Sequence, residues 1–181
     1  MGITPNGYIA RENGDSEWTS EEDLKGFQTH SKNAGNIIMG KNTYLYASQS
    51  GLLPFEGALN VVISHEKLEN KYGGQVIITD QAPKEVLRML EQKGFTTAFL
   101  AGGGQLNSSF LKENLIDEIY LDVEPLLFGK GIKIFAEADF DVELELIEST
   151  QLNKDTVQLH YRVLKDGSNI VHQLAQSKIR V

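Results

Sequence analysis

The stretch Phe99-Leu-Ala-Gly-Gly-Gly-Gln-Leu106 (FLAGGGQL) decides the fold. An apolar run stops at three consecutive glycines. A helix-like run follows at once, with Leu106, Phe110 and Leu111 together on one face of residues 105–114. The pattern predicts strand, tight turn and helix start. Glycines at such a turn admit positive φ and let a ligand approach the backbone without a Cβ in the way. Free N–H groups and the positive end of the following helix favour a phosphate. Gly102, Gly103, Gly104, Gln105 and Leu106 therefore form either a pyrophosphate seat or a plain strand-to-helix turn. The motif is not G-x-G-x-x-G, because Asn107 stands where the last glycine belongs.

The same alternation extends outward. Ile37–Met39, Leu59–Ile63, Val76–Thr79 and Thr97–Ala101 read as short buried strands. Helices are expected over 20–33, with Leu24 and Phe27 on one face, and over 83–93, opened by Pro83 and carrying Val86, Leu87 and Leu90. Strand–helix alternation implies a mixed, mostly parallel sheet with helices on both faces, hence an α/β fold. Val142–Ser149 and Thr156–Leu164 flank the turn Leu152–Asp155 and predict a C-terminal antiparallel hairpin at a sheet edge. Residues 1–164 are expected to form one domain, with 165–181 as a C-terminal extension.

Composition narrows the function classes. The 181 residues suit a single domain, and 40% hydrophobic residues suffice for a core. No apolar run reaches the roughly 20 residues of a membrane helix, and no signal peptide precedes the first motif. Cysteine is absent, which excludes disulfides and thiolate metal sites and makes the cytoplasm the expected location. The net charge of -8 argues against nucleic acid or an anionic membrane as partner. An anionic ligand would need a local cluster of donors. The histidines, His30, His160 and His172 among them, show no metal-binding spacing, and no Ser-His-Asp constellation is legible.

Two further strand ends carry such donors. Asn36-Ile-Ile-Met-Gly is followed by Lys41 and Thr43, and Val61-Val-Ile by Ser64, His65 and Lys67. Ligands of open α/β sheets gather at the carboxyl ends of the strands, where cations and hydroxyls suit a phosphate. Each segment alone is equally a solvated loop.

Taken in order, Asn6-Gly-Tyr-Ile-Ala, Ile38-Met-Gly-Lys-Asn-Thr-Tyr, Val62-Ile-Ser, Ala101-Gly-Gly-Gly, Leu115-Ile-Asp-Glu-Ile and Pro125-Leu-Leu-Phe-Gly-Lys-Gly-Ile resemble the dihydrofolate reductase-like fold. The nearer branch is the one related to the reductase domain of the riboflavin-biosynthesis deaminase–reductases. The resemblance implies a homodimeric NADPH-dependent reductase of a small heterocyclic substrate. It assigns Lys41 and Thr43 to cofactor phosphates and Ser64 to the adenosine 2′-phosphate, with His65 or Lys67 as helpers. Glu66 should then point away. Gly102 to Leu106 would take the pyrophosphate and nicotinamide side.

On the substrate side, Trp18, Asp23 and Phe27 resemble the tryptophan, acid and phenylalanine around the pterin ring of dihydrofolate reductases. A buried Asp23 could bind a 2-amino-4-oxo heterocycle and raise the basicity of its ring nitrogen. Alternatively, Thr19-x-x-Glu22 and Ser20-x-x-Asp23 are capping boxes, and Asp23 only supports a helix start. Several departures bear on substrate. Leu53-Pro54 is followed by Phe55-Glu56-Gly57, without the arginine that grips a folate glutamate. Thr4-Pro5-Asn6-Gly7 and Tyr44-Leu-Tyr-Ala replace segments typical of the riboflavin reductases. The expected substrate is a pterin- or pyrimidine-type heterocycle. A 5-amino-6-(5-phosphoribosylamino)uracil reductase and a non-catalytic nucleotide-binding protein are the alternatives. The polar segment Ala10–Ser20 is a candidate closing loop. The family's opening strand has few residues here, and Ser177–Val181 is a candidate to fill or flank its place.

Overall fold

The computed structural model describes residues 1–165. Its sheet built from the apolar runs is parallel and four-stranded, in the order β5 (Val76–Thr79), β4 (Leu59–Ile63), β3 (Asn36–Gly40) and β6 (Leu100–Gly102). β3 is central, and Ile37, Ile38 and Met39 are wholly buried, as expected for a strand covered on both faces. Its alternate residues feed two cores. Ile37 and Met39 pack with Val62, Val76, Tyr44 and Ala47, on the side of α2 (Lys41–Gln49). Ile38 packs with Val61, Val86, Leu90 and Phe110, on the side of α3 (Pro83–Gln92) and α4 (Gly104–Lys112).

A second four-stranded sheet has the order β1 (Gly2–Ile3), β7 (Glu118–Val123), β10 (Val157–Val163) and β9 (Leu144–Gln151). β1 runs parallel to β7, and the other pairs are antiparallel. β9 and β10 are the expected hairpin, and its turn is fixed by Asn153, whose Oδ1 accepts from the backbone N–H groups of Asp155 and Thr156. β2 (Tyr8–Ala10) pairs with β8 (Ile132–Lys133) as a small separate ribbon. Helix α1 (Glu21–Ala34) ends at Gly35, whose φ of 68° is the left-handed cap conformation.

Four expectations change. The expected parallel sheet is present, but the C-terminal hairpin joins a second sheet with β1 and β7 rather than its edge. Thr97–Ala101 is strand only from Leu100 onward. Leu24 does not face the core: it is 50% exposed, and α1 instead turns Asp23, Phe27 and Ser31 inward, at helical spacing. Helix α2 was not expected at all. Its first turn has no acid and its N-cap is Gly40, so the usual start signals are missing. The suggested role of Ser177–Val181, like His172, lies outside the described residues.

Candidate functional site

The strand register sets the geometry at one edge of the parallel sheet. Gly40 pairs with Ile63, and Met39 with Gly102. Lys41, Ser64 and Gly103 therefore follow the ends of three adjacent strands. Helices α2 and α4 start there side by side, and a Cβ built on Gly103 would lie 3.9 Å from Thr43 Oγ1. Their N-caps, Gly40 and Gly103, make no side-chain cap bond. The first N–H groups of both helices are thus left for solvent or ligand, and two positive helix ends meet over one spot.

The three glycines are bare for three different reasons. Gly102 has φ of 83°, which disfavours any side chain. Gly104 packs so closely that an added Cβ would come 2.3 Å from the carbonyl oxygen of Lys133. Gly103 alone has room around it, and it faces Thr43. The bare backbone at Gly104 thus has a packing cause rather than a ligand-based one. Gln105 is exposed, whereas Leu106 lies against Gly40 and joins the α3–α4 core.

Ser64 is buried and its hydroxyl is engaged locally, accepting from Glu66 N at 3.1 Å and donating to Glu66 O at 3.0 Å. His65 is exposed beside it. Glu66 does not point away. Its Oε1 lies 2.6 Å from Lys41 Nζ, so the ammonium assigned to a phosphate is held by a carboxylate.

Asp23 lies on the other side of the Gly102 turn. It is 8% exposed, and its Oδ1 has no hydrogen-bond partner among the described residues. The capping box is only half formed. Asp23 N donates to Ser20 Oγ, but the Ser20 N–H goes to Glu124 Oε1 at 2.9 Å rather than back to Asp23. The carboxyl is therefore not a helix cap. It meets Asp122 of β7 instead. Burial, reinforced by Asp122 and opposed by the Met1 ammonium, pushes the Asp23 pKa up to about 7. Burial also acts to raise Asp122, but the Met1 ammonium, Asp23 and Gln158 outweigh it and hold that carboxyl below the usual range. Met1 bridges the two halves of the site: its nitrogen is 3.8 Å from Asp23 Oδ1, and its methyl is the third-nearest atom to a Cβ built on Gly102.

Trp18 stands edge-on to Phe128, with centroids 5.1 Å apart, and its Nε1 donates to Asp15 O. Phe27 packs on Phe55 and Phe99. The two rings thus leave Asp23 in opposite directions along the chain, each with an aromatic partner of its own. His30 lies between Phe99 and Tyr120, and His160 stacks on Tyr120 at 3.9 Å. Burial pushes the His30 pKa down. Among the described residues no cluster of His, Cys, Asp or Glu could hold a metal, and no helix is long and apolar enough to cross a membrane.

Sequence reasoning passed over Asp122, Glu124 and Gln158. The available signal was the alternation Glu118, Tyr120, Asp122 in β7, continued by Glu124 just past its end, which gives the strand a polar face. Thr156 Oγ1 and Ser20 Oγ both donate to Glu124, and Gln158 Nε2 donates to Asp122 Oδ1 at 2.7 Å.

A mixed α/β fold with a glycine turn between converging strand ends and a buried carboxyl beside it is that of the dihydrofolate reductase-like oxidoreductases. Residues 1–158 match the RibD C-terminal domain family, and the chain belongs to it. The chain is 27% identical over 165 residues to the uncharacterized Bacillus subtilis protein YwjB, covering 89% of this chain and 94% of that one. It is 25% identical over 202 residues to the 2,5-diamino-6-ribosylamino-4(3H)-pyrimidinone 5′-phosphate reductase of Methanothermobacter thermautotrophicus, covering 86% and 92%. Its fold superposes with a TM-score of 0.79 on a Shewanella sp. PV-4 protein provisionally assigned to riboflavin biosynthesis, at 25% identity and 91% and 97% coverage.

Proposed function

We propose that this protein is an NADPH-dependent reductase that delivers a hydride to a pyrimidine- or pterin-type heterocycle. The observation that carries this is the convergence of Lys41, Ser64 and Gly103 at three neighbouring strand ends, with Asp23 buried across the glycine turn. The residues fit a phosphorylated dinucleotide. The uncapped starts of α2 and α4, with Thr43 and the open side of Gly103, suit a pyrophosphate. Lys41, Ser64 and His65 suit a 2′-phosphate once Glu66 gives way. Gly102, Gly104, Gln105 and Leu106 shape the turn that receives it.

When bound, the nicotinamide supplies the hydride. The chain supplies the rest. Asp23 offers Oδ1 to a ring amino or N–H group and holds a proton for the heteroatom beside the reduced carbon. Trp18 and Phe27 are the candidates to border the ring, each already packed on an aromatic partner of its own. Asp23 disfavours the non-catalytic alternative, because a buried carboxyl with an unpaired oxygen is costly unless it is used.

Among substrates, the pyrimidine is favoured over folate. The loop after Leu53-Pro54 offers Phe55, Glu56 and Gly57 and lacks an arginine for a glutamate tail, although the Lys32 side chain of α1 packs against Gly57. The archaeal relative is named for a pyrimidinone phosphate, which places 5-amino-6-(5-phosphoribosylamino)uracil and its diamino counterpart first in a panel. A homodimer goes with this reading. β9 is an edge strand, exposed at every residue, and presents Leu144, Leu146 and Ile147. The cytoplasm, where reduced nicotinamide cofactors are available, is the matching location. Following NADPH oxidation with these two compounds, dihydrofolate and dihydrobiopterin tests the proposal. Turnover of a pyrimidine is expected. No oxidation with any of them, or equal use of NADH, counts against it.

A further inference from the structure

We infer that Asp122 is the positioning residue that keeps a proton on Asp23: the two buried carboxyls share one proton, with Asp122 as the ionised partner. The inference rests on the reading of Asp23 as the group that protonates the substrate ring.

The seam between α1 and the β7–β10 pair supplies the geometry. Asp122 is 2% exposed and lies on the polar face of β7 beneath α1. One of its oxygens accepts from Gln158 Nε2 at 2.7 Å, and the other faces the Met1 ammonium at 3.2 Å. Both contacts favour its charged form. Asp23 has no comparable set of donors. Its neighbours are Thr19, Asp122 and, at 3.8 Å, the Met1 ammonium, and its Oδ1 has no hydrogen-bond partner among the described residues. Two carboxylates this close cannot both ionise cheaply, so one proton stays on the pair. The asymmetry of donors decides where it sits. Asp122 keeps the charge and Asp23 keeps the proton, with a pKa raised to about 7. The other groups facing the pair are accounted for. His30 of α1 senses Asp122 but is pushed toward its neutral form by burial, and Glu124, just past the end of β7, is satisfied by Ser20 and Thr156.

Proton balance follows. The ring carbon gains the hydride, the adjacent heteroatom takes the proton from Asp23, and the pair is left with two negative charges. That doubly charged state drives rapid recapture of a proton from water.

Two substitutions separate this from a merely structural role, because they push in opposite directions. Asp122→Asn removes the neighbouring charge and weakens proton binding at Asp23. Gln158→Leu removes a donor from Asp122 and strengthens the pair's hold on its proton. Difference infrared titration of the ligand-free protein, with Asp23→Asn as the blank, reads the carboxylic-acid stretch of Asp23. The wild-type band is expected to disappear on titration near pH 7. In D122N the midpoint should fall by at least about one pH unit, a tenfold loss of proton affinity. In Q158L it should rise. In turnover, the alkaline limb of kcat should shift with the band in each variant, while KM for the heterocycle changes less. Unchanged midpoints, or an Asp23 already ionised near pH 5 in the wild type, overturn the inference. If D122N does not fold, Q158L decides by the sign of its shift. Failure of every substrate with the titrations as expected would sink the reductase proposal while leaving the shared proton standing.

Discussion

Helices α1 and α3 both cover a sheet, but with opposite chemistry. α3 turns Val86 and Leu90 inward onto Ile38, Val61 and Phe110, an apolar contact with no polar atom to satisfy. α1 turns Asp23 and Ser31 inward, and Asp23 Oδ1 and Ser31 Oγ are both buried without hydrogen-bond partners among the described residues. The first arrangement gains free energy by removing apolar surface from water. The second gives some up, because buried polar groups cost unless they are bonded. Apolar cores thus cover both faces of the parallel sheet, whereas the buried polar groups gather in the seam under α1, where the proposed chemistry lies.

The comparison breaks most sharply at Asp23. Asp23→Asn should lower kcat by about 10²–10⁴-fold, roughly 3–5 kcal/mol, measured under saturating substrate. The same variant should gain stability at neutral and higher pH. A carboxyl whose folded pKa is raised contributes stability that is complete below its unfolded value and is lost as pH rises through the folded one. Wild-type stability should therefore fall between about pH 4 and pH 7, and the advantage of D23N should grow over that window in thermal melts. Leu90→Ala is the converse. It should cost about 2–5 kcal/mol in denaturant unfolding while leaving kcat per folded molecule unchanged. At the glycine turn, Gly103→Ala should fold and weaken NADPH binding about tenfold by calorimetry, roughly 1.4 kcal/mol. Gly104→Ala should instead lose stability through its clash with Lys133 O. The smallest effect belongs to Glu66→Gln. Freeing Lys41 should tighten NADPH by less than about 1 kcal/mol, leave NADH unchanged, and fade as salt is added.

The apolar half of the molecule was legible in the sequence because its periodicity is strong. β4 and β5 fall where the runs of Leu59 and Val76 put them, and α3 starts at its proline. The donor-bearing strand ends were also legible, since Lys41, Ser64 and the glycines each follow a buried run. Three kinds of feature were not. Helix α2 lacks a side-chain cap and an apolar stripe, so only packing of Tyr44 and Ala47 against β3 and β4 reveals it. Leu24 shares a helical face with Phe27 by spacing, yet it is exposed, because hydrophobicity alone does not fix which face of α1 turns inward. Asp122 was invisible because its partner is about a hundred residues away in sequence, and no local pattern links an acid on a helix to an acid on a strand. The Lys41–Glu66 contact was misjudged for the same reason: a side chain's partner depends on which loops meet, and that is set by sheet order.

The division into two sheets has a consequence for how such an enzyme diversifies. The residues proposed to hold a phosphate follow strands of one sheet, whereas Asp122, which meets Asp23 of α1, belongs to the other. On the proposed reading, exchanges along the β7–α1 seam would alter which ring is accepted without disturbing the nucleotide cradle. New substrates are then reached by small steps, each of which leaves the supply of reducing equivalents intact.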